Sequence, residues 1–127
     1  SAASDVYKRQ LWKDKNRNET GAAVKNIKRQ IQKGRYEEAR CQIISRMIRE
    51  PDSPEPHNLL GILLEKEGKH VAAMKHFRAA WALDPSYEPA RKNLESFTGE
   101  MTRHKWDYGE QVQGGAGAER KEEFKIA

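Results

Sequence analysis

The sequence predicts an all-α fold, an α-α superhelix of about five helices stacked as hairpins into a short solenoid. Three observations predict it. The chain repeats itself at an interval of 34 residues, Gly34, Ala39 and Pro51 recurring as Gly68, Ala73 and Pro85, with Tyr36 answering His70 and Ile43 answering Phe77. A fixed period of this length marks helical hairpins that bury their apolar faces only against neighbouring units. Within each unit the apolar residues fall at helical spacing, and each carries a glycine where one helix must reverse into the next.

Residues 1–18 are expected to form an N-terminal extension, partly non-native or disordered. The opening Ser1 to Gln10 lacks an initiator Met and reads as vector- or adapter-derived sequence. The repeat domain is placed at residues 19–103. Its first helix begins near Thr20 and offers one apolar edge, Val24, Ile27 and Ile31, with polar Asn26 and Gln30 between. After Gly34 a helix is predicted over about Tyr36 to Arg49, with Ala39, Ile43 and Met47 in line and Glu37 and Glu38 complementing the helix dipole. The second unit opens at Ser53-Pro54, read as an N-cap followed by proline at the first helical position. Its first helix carries Leu60, Leu63, Leu64 and Glu67 on one face and ends at Gly68. The helix from His70 to Leu83 buries Ala73, Phe77, Ala80 and Trp81, and Pro85 marks its exit. A closing helix starts at Glu88 and lines up Ala90, Leu94, Phe97 and Met101. Residues 104–127, with four glycines from Gly109 onward, have the composition of a flexible tail.

A length of 127 residues is expected to hold one small domain and is too short for a multidomain enzyme. Charged residues make up 34% and hydrophobic residues 36%, so the apolar side chains must be concentrated on periodic faces for the chain to fold. The longest mostly apolar run, Leu59 to Leu64, is broken by Gly61 and far short of the roughly 20 residues a membrane span needs. No membrane partner is expected. The single Cys41 forms no internal disulfide and no secretory segment is visible, so a cytoplasmic location is expected.

Nothing in the pattern of titratable residues points to an enzyme. His70 and His76 are six residues apart, about 600° around a helix, and cannot share a metal ion unaided. Cys41 lies near Arg40 and Arg46, which would favour its thiolate, but a structural or surface thiol is the simpler reading. The run Gly114-Gly115-Ala116-Gly117 lacks the Lys-Ser/Thr of a phosphate loop. No catalytic residue, metal ligand or cofactor is assigned.

Counted from Pro54, the residues Leu60, Gly61, Ala73, Phe77, Ala80 and Pro85 stand where the tetratricopeptide repeat places its signature, with His57 and Leu64 in the positions of Trp and Tyr. The chain therefore resembles that family over about Thr20 to Arg103, as two hairpins and a closing helix. The resemblance implies a non-enzymatic adaptor that holds a peptide or helix of a partner protein in a concave groove lined by the first helix of each unit. Transferred position by position, the partner-binding residues are Val24, Lys28, Ile31, Asn58, Ile62 and Lys92. Lys28, Asn58 and Lys92 would take a peptide's carboxylates and backbone, and Val24, Ile31 and Ile62 its apolar side chains. The subfamily that clamps the acidic tails of chaperones is not matched: its Lys, Asn, Asn, Lys and Arg are here Val24, Lys28, Leu59, Pro89 and Asn93. So short an array sits near the lower limit of stability, so upstream repeats, self-association or a partner are expected to complete it.

Charge offers an alternative. Residues 1–50 hold 13 Lys or Arg against 6 Asp or Glu, a net of 13 − 6 = +7 in a chain whose total is +5. A stripe of Lys25, Lys28, Arg29, Lys33 and Arg35 would meet nucleic acid or another polyanion through counterion release. Trp106 and Tyr108 either stack on bases in such a complex or fold back over the last helix.

Overall fold

The computed structural model describes residues 2–96 and 105–110, which contain five α-helices and no strand. They are α1 (Ala2–Gln32), α2 (Tyr36–Arg49), α3 (Glu55–Lys66), α4 (His70–Leu83) and α5 (Glu88–Glu95). Each helix packs on the next along the chain, and α1 also reaches α3. Both α2 and α4 have the predicted limits and stand 34 residues apart. Phe97 and Met101, expected on the closing helix, and the glycine-rich run after residue 110 lie outside the described residues.

The two hairpin turns are built alike. Gly34 (φ +79°) and Gly68 (φ +80°) adopt the left-handed conformation. The next residue donates its N–H five residues back, Arg35 to the Gln30 carbonyl and Lys69 to the Leu64 carbonyl, both at 2.8 Å. This is the Schellman closure of a helix C-terminus, which favours glycine because a Cβ opposes positive φ.

Three expectations change. The helix runs back to Ala2, through the extension set apart at residues 1–18; alanine, lysine, arginine and glutamine all favour helix there, although Val6, Tyr7, Leu11 and Trp12 remain exposed. The N-cap of α3 is Pro54, which offers no side-chain acceptor, while Ser53 Oγ donates to Glu55 and Pro56 occupies the first turn. Trp81 is 44% exposed and is not part of the buried stripe of α4. The stripe consists of Ala73, Phe77 and Ala80 alone.

One cluster forms the main core, with Val24, Ile27 and Ile31 from α1, Ala39 and Ile43 from α2, Leu59 to Leu64 from α3, and Ala73 and Phe77 from α4. The centre of α3 is buried on nearly every side, its backbone approaching α4 so closely that a Cβ on Gly61 would lie 2.5 Å from the Phe77 ring. Arg40 of α2 ties down the end of α3 through Glu67, and that contact holds its guanidinium pKa above the ordinary value.

Candidate functional site

The first helix of each unit, α1, α3 and α5, contributes polar side chains to one shared face, and the segment Lys105–Glu110 lies on it. The contacts run along the segment in order. Trp106 stacks on Phe77, ring centroids 6.0 Å apart and planes inclined by 18°. The Asp107 carbonyl accepts from Asn58 Nδ2 and from Asn93 Nδ2, each at 2.9 Å, while the Asp107 N–H donates to Asn93 Oδ1 at 2.9 Å. Asn93 also donates to Asn58 Oδ1 at 2.8 Å, so the two buried amides fix each other and present one acceptor and two donors to a peptide unit.

Tyr108 is buried, its ring joined to the core cluster and Lys28 Nζ 5.2 Å from its centroid. Burial, with the Glu110 carboxylate adding, raises its phenol pKa. Gly109 has φ +85°, and a Cβ there would overlap the Tyr87 hydroxyl. That hydroxyl is buried; burial first, then the Glu55 and Asp107 carboxylates, outweigh the nearby Asn58 side chain and keep it protonated far above the usual range. The acids are matched by amines, Glu110 forming an ion pair with Lys28 and Asp107 Oδ2 lying 3.7 Å from Lys92 Nζ.

Lys28, Asn58 and Lys92 are thus brought together, from positions 30 and 34 residues apart. Val24, Ile31 and Ile62 are not presented on an open wall: all three are at most 2% exposed, inside the cluster that Tyr108 completes. Sequence reasoning offered the return of Trp106 and Tyr108 over the last helix as one of two readings, but missed the roles of Asn93 and Tyr87 and the face on which the segment lies. The available signal was the closely spaced aromatic pair Trp106 and Tyr108.

The basic stripe divides. Lys25 and Arg29 of α1 and Lys33 just beyond its end, spaced by four, are exposed, and Arg35 is exposed with Glu38 3.9 Å away. Lys28, half-buried, instead pairs with Glu110. Elsewhere, His57 and His76 stack with their Nδ1 atoms 3.1 Å apart, and burial lowers both pKa values. Among the described residues no group of three or more His, Cys, Asp or Glu converges as metal ligands do, and no helix is long and apolar enough to cross a membrane. Comparison with protein-family models, curated proteins and solved structures found no match.

Proposed function

We propose that the protein is a non-enzymatic interaction module of the tetratricopeptide kind, whose α1, α3 and α5 face holds an extended peptide of a partner protein. The observation that carries this reading is the Asn58 and Asn93 pair, which grips the backbone of Asp107 from both its N–H and its carbonyl. Gripping a peptide by its backbone is indifferent to side-chain identity, and the flanking Lys28 and Lys92 add a preference for acids. The 34-residue offset of α2 and α4 and their matching turns support the repeat assignment.

The test is selection of binders from a displayed peptide library on the full chain, followed by affinities for a variant combining Lys28→Glu, Asn58→Ala and Lys92→Glu. The proposal requires selected peptides to lose at least about tenfold in affinity, roughly 1.4 kcal/mol. Equal binding to the triple variant sinks it. The alternative, polyanion binding, draws on the exposed row of Lys25, Arg29 and Lys33. It requires nucleic-acid affinity that falls steeply with salt and disappears when those three charges are reversed.

A further inference from the structure

Resting on the peptide-binding reading, we infer that residues 106–110 are the chain's own stand-in for its partner, and that the partner carries the same chemistry: an acid, an aromatic residue, a glycine and a second acid in consecutive positions. Each position has a separate physical reason. The Asp107 backbone is held by both asparagines and its carboxylate faces Lys92. The next residue must be aromatic to complete the apolar cluster beneath it while presenting a ring face to Lys28 Nζ at 5.2 Å. Glycine is required at the third position on two counts, a backbone at φ +85° and the Tyr87 hydroxyl where a Cβ would stand. An acid at the fourth pairs with Lys28, which therefore reads the second and fourth positions at once.

The aspartate's own Oδ1 accepts the Gly109 N–H at 3.0 Å, an Asx-type turn that pre-forms the bend at the glycine. A partner peptide with this sequence carries the bend within itself and arrives with its conformation partly set. Because the resident segment is covalently attached, its effective concentration is of millimolar order, so it screens out weak peptides. A partner succeeds by combining the motif with contacts the resident lacks.

The experiment uses the full chain, a fluorescein-labelled peptide Lys-Trp-Asp-Tyr-Gly-Glu, the same peptide with valine in place of glycine, and a set of unrelated library-selected peptides. Gly109→Val releases the resident segment without altering any helix; Tyr108→Ser is a second release variant, and helicity by circular dichroism verifies both. The inference predicts that the labelled peptide binds the release variants about tenfold or more tighter than the unaltered chain, that the valine peptide fails, and that Asn58→Ala with Asn93→Ala abolishes the gain. It is overturned if the motif peptide binds released and unreleased chains alike, or no better than the valine peptide. If unrelated peptides bind through Asn58 and Lys92 while the motif peptide does not, the inference falls and the peptide-binding reading stands. If no peptide binds, both fall.

Discussion

The hairpins α1–α2 and α3–α4 solve the same packing problem with different residues. At matching positions, Ile27 and Ile43 of the first correspond to Gly61 and Phe77 of the second, and all four side-chain sites are buried. Two medium side chains do in one hairpin what a very small and a very large one do in the other. The two pairs differ in shape and in total volume, so each hairpin must reach close packing with different neighbours. The difference has a consequence at the surface: Phe77 is large enough to present a ring to Trp106, so the second hairpin anchors the peptide-like segment. The first instead supplies charge through Lys28. A second contrast lies at the far end of the hairpins, where buried Arg46 stands in place of Ala80. Thr20 Oγ1 and Glu50 each accept a hydrogen bond from its Nη2, at 2.9 Å. The first hairpin thus closes with a polar network where the second closes with a methyl group.

The largest break in this comparison is Phe77→Ala, which removes the ring from a site packed on Gly61 and should cost about 3–5 kcal/mol, measured by urea denaturation. Ile43→Ala at the equivalent position should cost less, about 2–4 kcal/mol. A sharper test transplants one solution into the other. Gly61→Ile alone overpacks against the Phe77 ring, whereas Gly61→Ile with Phe77→Ile should recover about 1–3 kcal/mol relative to the sum of the single changes; strict additivity would show that the two sites are not the complementary pair described. Next in size, Gly34→Ala and Gly68→Ala should each cost about 1–2 kcal/mol. Both glycines have open space where a Cβ would go, so the penalty is purely conformational and the two values should agree. The smallest effect concerns the stacked histidines that only the second hairpin carries. Their folded pKa values are lowered, so the unfolded chain binds more protons below about pH 6.5, and stability should be full above that pH and fall as the pH drops through it. Melting temperatures at pH 7.5 and 5.5 should differ less in His76→Gln than in the unaltered chain.

The helices were legible in the sequence because their causes are local: glycine at Gly34 and Gly68 and apolar residues at helical spacing set the limits of α2 and α4 almost without reference to the rest of the chain. The errors came where local pattern and tertiary packing part company. Trp81 is apolar and beside Ala80 yet faces outward, and the stretch of α1 before Thr20 is helical although it contributes no buried residue. The face was half legible. Lys28, Asn58 and Lys92 follow from their place in the repeat, but what covers them depends on contacts between Asn58 and Asp107, 49 residues apart, for which no periodicity exists. Asn93 was hidden for a similar reason, its value arising only from the amide it meets on α3.

The central claim is that the chain lays its own segment, Trp106 to Glu110, across the face proposed to bind peptides. Zero-length carbodiimide coupling of the full chain, with the links mapped by mass spectrometry, tests it most directly, because the reagent joins only an amine and a carboxylate already in contact. The account predicts a link between Lys28 and Glu110 within the monomer, lost in Gly109→Val and restored to the unaltered chain's level in no variant that removes Asn58 and Asn93 together. A monomer in which Lys28 never couples to Glu110, or couples equally in Gly109→Val, would contradict it.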